Sequence, residues 1–181
     1  MSHQNKQSDP ATLRTLVITF DEVKSGKTRL IAGYMETRVK LESSDGKKPY
    51  EFSKAVEYDI SGKNEKSVFL QKIQAVSDFL NNAHIKDRIT IYTDDAFLLD
   101  IRHEIQDDLF GQPLFKAGKR NISIFKNLSE KFKSFSVRPI ASEDHQNVLE
   151  NLQRTIGFRI NQIQNPNNES KHYINRPQVA R

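Results

Sequence analysis

Apolar residues alternate with polar ones over the first third of the chain and recur at helical spacing over most of the rest. Side chains alternate between faces along a strand but return every three to four residues along a helix, so the change of period marks a change of element. Leu13–Phe20 reads as a first strand, Arg29–Val39 as a second and Tyr50–Tyr58 as a third. Ser25-Gly26-Lys27 and Ser43-Ser44-Asp45-Gly46 carry the turn chemistry that joins hairpin strands. Those runs form an antiparallel meander. From Asn64 to Ala83 the period is helical, with Phe69, Ile73, Val76 and Leu80 on one stripe. Asn64 suits the N-cap, and Glu65 suits the positive end of the helix dipole.

A fourth strand spans Arg88–Thr93, followed by a helix over Ala96–Ile105. Residues 106–120 contain Gly111, Pro113 and Gly118, then Lys116, Lys119 and Arg120, and read as an irregular basic segment. Asn121 is placed to cap a helix over Ile122–Phe132. Phe135–Ile140 is a fifth strand, with Pro139 favouring an edge or a strand end. Ser142-Glu143-Asp144 opens a last helix, through about Ile163, striped by Val148, Leu149, Leu152, Ile156 and Ile160. The expected organisation is a disordered arm over residues 1–11, one domain over 12–163 and a flexible tail over 164–181.

Two strands end near carboxylates. In Leu16–Glu22, Val17, Thr19 and Asp21 share a face; in Arg88–Asp95, Thr90, Tyr92 and Asp94 do. If the strands are neighbours, Asp21 and Asp94 emerge together at the end of a sheet. Paired carboxylates repel unless a proton or a divalent cation sits between them, which points to metal-dependent phosphodiester chemistry or its remnant. The competing reading is that each Asp simply opens a turn.

Composition narrows the partner. The 181 residues suit one domain with a substantial core. The net charge of +5 and a pI near 9.3 favour an anionic partner, nucleic acid ahead of a membrane surface. The chain has no Cys, which excludes disulfides and thiolate zinc sites; a cytoplasmic location is the simplest expectation. No apolar run approaches the roughly 20 residues needed to span a bilayer.

The order β-β-β-α-β-α-α-β-α, with these acids in place, resembles ribonuclease H type 1 over about residues 13–160. Phe20-Asp21-Glu22 stands where that family's first strand ends in a catalytic Asp, and Tyr92-Thr93-Asp94-Asp95 where its fourth strand ends Thr-Asp-Ser. Lys119-Arg120-Asn121-Ile122-Ser123-Ile124-Phe125 follows a basic segment, as the bacterial enzymes' Asn-Val-Asp-Leu-Trp follows their basic protrusion. The resemblance implies an α/β fold with a five-stranded mixed sheet, order 3-2-1-4-5, and helices on both faces. It also implies two Mg²⁺ or Mn²⁺ ions held by carboxylates, one activating water and the other steadying the leaving oxygen.

Carried over residue by residue, Asp21 would bridge the metals, Asp94 would hold one of them, and Glu150 on the last helix would complete the set; Asn147 is another register. His145 lies near the family's loop His. The departure is on the first helix: Val68 falls where the family has Glu, and a valine cannot bind Mg²⁺. Glu65 and Glu22 are the candidates for a rearranged set. Nucleic acid would be held by Lys116, Lys119, Arg120 and Lys126, with Lys131 and Lys133 nearby and Phe110 and Phe115 able to stack on bases. The leading expectation is a catalytically degenerate domain that binds RNA–DNA hybrid or duplex RNA within a larger protein assembly. Its rivals are an active Mg²⁺ or Mn²⁺ nuclease with rearranged carboxylates and a protein-interaction module on the same fold.

Overall fold

The computed structural model describes residues 11–41, 48–107 and 118–167, with the side chains of 103–107 left aside. Lys116, Phe110, Phe115, the turn at Ser43–Gly46 and the terminal arms fall outside the described residues. The elements run β1 (Thr12–Ser25), β2 (Lys27–Lys40), β3 (Tyr50–Asp59), α1 (Glu65–Phe79), β4 (Arg88–Thr93), α2 (Ala96–Asp107), α3 (Lys119–Glu130), β5 (Ser134–Pro139) and α4 (Glu143–Gln164). One sheet carries all five strands in the order β3-β2-β1-β4-β5. β1 pairs antiparallel with β2 and β2 with β3, whereas β4 runs parallel to both β1 and β5. The meander and the crossover through α1 are those the periodicity predicts.

The two faces bury different sets. Leu16, Ile18, Ala32, Tyr34, Ile89 and Ile91 meet α1, α2 and α3 in the main core. On the opposite face, Val17 packs with Leu149 and Leu152 of α4, and Val23 and Ile31 pack with Ile156. Gly33 permits that close approach: a Cβ there would stand 2.9 Å from Ile156 Cδ1. Beside the main core, buried Arg14 bridges Glu36 and Asp87 at 3.1 Å each and donates to the Asn82 carbonyl at 2.8 Å.

Two boundaries differ in kind from the expectation. β1 does not stop at Phe20 but continues to Ser25, because Asp21–Ser25 remain laddered to Lys27–Ile31 around Gly26, whose φ is +68°. The exposed Asp21, Glu22 and Lys24 belong to a strand that has outrun β4, not to a turn. α3 begins three residues earlier than predicted, after Gly118, and Asn121 does not cap it. Asn121 lies inside the helix, buried, and its Nδ2 donates to the Lys66 carbonyl on α1 at 2.9 Å.

Candidate functional site

The parallel register of β1 and β4 ends at Ile18 opposite Thr93. One step further, Thr19 stands beside Asp94, and both project towards α4 as Val17 and Tyr92 do. Asp21 shares that face two residues along, about 7 Å farther at the usual rise. The structure therefore brings Asp21 and Asp94 to one cavity, of about 320 Å³, lined by Thr19, Phe20, Asp21, Asp94, Gln153 and Ile156. They are offset along the sheet and not side by side as the sequence reading has them, because Asp21 lies beyond the end of the β1–β4 ladder.

Hydrogen bonding at this cavity is specific. Gln153 Nε2 donates to Asp94 Oδ2 at 3.3 Å, and the Glu22 amide donates to Asp21 Oδ1 at 2.8 Å. The Thr93 hydroxyl donates to the Ile18 carbonyl at 2.7 Å, which ties the end of β4 to β1. Asp95, next in sequence, faces the other way. It caps α2 by accepting from the Leu98 amide at 3.0 Å and is ion-paired with Lys72 of α1. The Lys72 ammonium also lies 5.3 Å from the centroid of the Phe20 ring.

The remaining sequence candidates lie elsewhere. Glu150 is exposed on α4, one turn before Gln153, and does not line the cavity. Val68, half-buried in the first turn of α1, has no donor atom to offer, and Glu65 and Glu22 are exposed and outside the lining. His145 is not in a loop: it stands in the first turn of α4, its amide donates to the capping Ser142 Oγ at 3.1 Å, and its ring centroid lies 3.9 Å from that of Tyr92. Lys119 and Arg120 are exposed in the first turn of α3, and Lys126 is exposed farther along it. Thr19 and Gln153 were missed by the sequence reading. Val17-Thr19-Asp21 alternation contains Thr19, but only the strand register singles it out; Gln153 carries no signal except its offset of one residue from Leu152.

Element order and sheet order together decide the architecture. The fold is ribonuclease H-like. Among solved structures, similar ones include LC9 ribonuclease H1, described as a type 1 ribonuclease H with the type 2 active-site motif: 11% identity over 78% of this chain and 72% of that chain, TM-score 0.48. Ribonuclease H1 from Halobacterium salinarum matches at 11% identity over 74% of this chain and 89% of that chain, TM-score 0.36. A foamy viral protease–reverse transcriptase in complex with dsDNA matches at 13% identity over 81% of this chain and 91% of that chain, TM-score 0.41. No protein-family model matches the sequence, and no curated protein does.

A two-ion centre needs several carboxylates whose oxygens lie within about 2.0–2.1 Å of Mg²⁺. Among the described residues no three His, Asp or Glu side chains converge in a way that could hold a metal. Here Asp94 has an amide donor on one oxygen, Thr19 as its strand neighbour, and one further carboxylate displaced along β1. Those donors do not fit a two-ion centre.

Proposed function

We propose that this chain is a nucleic-acid-binding domain on a ribonuclease H-like fold that has given up two-ion phosphodiester hydrolysis. The observation that carries this reading is the pairing of Asp94 with the Gln153 amide, in a cavity whose only other carboxylate is Asp21 among the described residues. An amide N–H neutralises part of the carboxylate's field without supplying charge to hold a cation. Binding is supported by the net charge of +5 and by the exposed Lys119, Arg120 and Lys126 on α3, with Lys116 preceding them in the chain. Phosphate contacts of this kind suit any duplex; RNA–DNA hybrid or duplex RNA is the ligand that the resemblance to ribonuclease H implies, and its backbone and 2′-hydroxyls can be read without base contacts.

Titration of a labelled RNA–DNA hybrid across a salt series tests the reading. Replacing Lys116, Lys119 and Arg120 together by Ala should weaken binding and flatten the slope of log affinity against log salt by about two to three, one contact contributing about 0.9. The same hybrid should survive incubation with Mg²⁺ or Mn²⁺. Robust metal-dependent cleavage, abolished by Asp21→Asn, would establish the nuclease instead. Affinity that neither depends on salt nor changes in the triple variant would leave a protein-interaction module.

A further inference from the structure

β3 is an edge strand, and its two faces differ. Glu51, Ser53, Ala55 and Glu57 alternate with Tyr50, Phe52, Lys54, Val56 and Tyr58. An edge strand ordinarily carries charge and turns its apolar groups inward, which discourages pairing with another chain. Here Tyr50 is 55% exposed and Phe52 39% exposed. The register sets Tyr50 beside Arg38, Phe52 beside Glu36 and Lys54 beside Tyr34, so rings and cations stand on one face in neighbouring rows. The C-terminal end of α1 forms the opposite wall, through Asp78, Phe79, Asn81 and Asn82. The groove between them has a volume of about 470 Å³, within the roughly 300–1,000 Å³ typical of ligand sites.

The rings in the groove are braced. Tyr34 stacks on Phe79 at 3.8 Å between centroids, and Phe52 tilts against Tyr34 at 5.9 Å. The Arg38 guanidinium sits 5.3 Å from the centroid of Tyr50. Acidic groups at the groove are already committed. Glu36 receives two hydrogen bonds from Arg38 at 2.9 Å and one from Arg14 at 3.1 Å. Asp78 receives one from Gln74 at 3.0 Å and one from the Tyr58 hydroxyl at 3.1 Å. Among the described residues Lys54 forms no ion pair, and Arg38, bound to Glu36 through Nε and Nη2, has no hydrogen bond at Nη1. The groove therefore offers exposed ring surface on Tyr50 and Phe52 and the unpaired Lys54 ammonium, with the Arg38 guanidinium shared between Glu36 and the groove, and Asp78 held by two neutral donors at its far wall.

We propose that this groove binds single-stranded nucleic acid, with bases stacked on Tyr50 and Phe52 and the backbone phosphates held by Lys54 and Arg38. Stacking tolerates any base, because every base has a π-face, and the cations need only follow the backbone. A peptide laid along the β3 edge would satisfy the backbone groups but would leave the alignment of rings with cations without a role. The site is separate from the cavity at Asp94 and from α3, so it does not rest on the hybrid-binding reading.

The test uses the full chain and fluorescently labelled oligothymidylate and oligouridylate, each about ten nucleotides long, within the span of a compact single-strand site. Both should bind in a salt-sensitive manner; a preference for one assigns the groove to DNA or RNA. Tyr50→Ala with Phe52→Ala should weaken binding at least about five-fold per stacked base lost, and Tyr50→Trp should restore or improve it. Lys54→Glu, at an exposed position, should weaken binding independently of any packing change. Lys119→Ala with Arg120→Ala should leave oligonucleotide affinity unchanged while weakening the hybrid, so failure of one site does not mimic failure of the other. No binding of either oligonucleotide at low salt, or binding that survives both the double aromatic variant and Lys54→Glu, overturns the proposal.

Discussion

At the scale of single residues, Gln153 Nε2 reaches Asp94 Oδ2 from α4 at 3.3 Å, so a single oxygen-for-nitrogen change would set a third carboxylate beside Asp94 and Asp21. Gln153→Glu should give the cavity a measurable affinity for Mn²⁺, read as a metal-dependent rise in melting temperature. Ligand at about one hundred times its dissociation constant stabilises by about 2.7 kcal/mol. Without metal, mutual repulsion raises the carboxyl pKa values in the folded state, and stability is then lost as pH rises through the carboxylate range. Adding Asp94→Asn should remove the metal effect; a rise that persists would place the ion elsewhere. Tyrosines report on a second site. Burial first, then the neighbouring Asp78 charge and its hydrogen bond, push the Tyr58 hydroxyl well above 10.0, and burial does the same for Tyr34. A pKa raised on folding contributes stability that is complete below about 10 and disappears as pH climbs through the folded value. Ultraviolet titration should therefore show two tyrosines ionising above the ordinary tyrosine range, with Tyr58→Phe removing one of them. Asp21 and Asp94 were legible because acids near strand ends are visible in a string of letters. Thr19 and Gln153 were not, since strand register and the rotation of a helix over a sheet decide which residues meet.

Elements bring other constraints. α4 lies so close to β2 that Gly33→Ala would drive a methyl to 2.9 Å from Ile156 Cδ1 and 3.3 Å from Cγ1. Ile156 is buried and has little room to yield, so the variant should lose about 1–3 kcal/mol in urea unfolding. Ile156→Val removes the nearest atom and should recover much of that loss in the double variant; simple additivity would show that the contact is not the cause. At the main core, Arg14 holds Glu36 and Asp87 together, with Arg38 completing the Glu36 shell. Removing one member strands the others, and Arg14→Met should cost about 3–5 kcal/mol. A loss below about 1 kcal/mol would mean that water enters and solvates both acids. The periodicity made every strand and helix legible, including the exchange of sheet for helix after β3. What it could not register was that β1 and β2 extend past β4 as a two-stranded arm. Asp21, Glu22 and Lys24 are polar there because none of the described residues covers them, and the same letters serve a turn. Nor could it find the Arg14 cluster, whose partners lie 22 and 73 residues away and are charged residues expected at the surface.

On the scale of the whole molecule, α1 links the two proposed nucleic-acid surfaces. α3 is fastened to the start of α1 by Asn121 on the Lys66 carbonyl, and the aromatic groove opens beside the helix's far end at Asp78 and Phe79. α1 has 15 residues, so the two ends stand about 20 Å apart at the usual rise. Both lie on the sheet face that carries α1, α2 and α3, away from α4. A hybrid seated against α3 and continued by a single strand of several nucleotides could therefore occupy both without bending around the sheet. Joining two weak sites through one ligand makes the second encounter intramolecular, and the gain depends on whether the linking strand spans the gap. A hybrid with a single-stranded extension should bind at least about ten-fold more tightly than the blunt hybrid, with the advantage appearing only above a threshold extension length. Tyr50→Ala with Phe52→Ala should abolish the advantage and leave the blunt hybrid's affinity intact, whereas Lys119→Ala with Arg120→Ala should weaken both ligands. An extension that adds nothing at any length, with each surface active alone, would mean that the surfaces engage separate strands rather than one continuous polynucleotide.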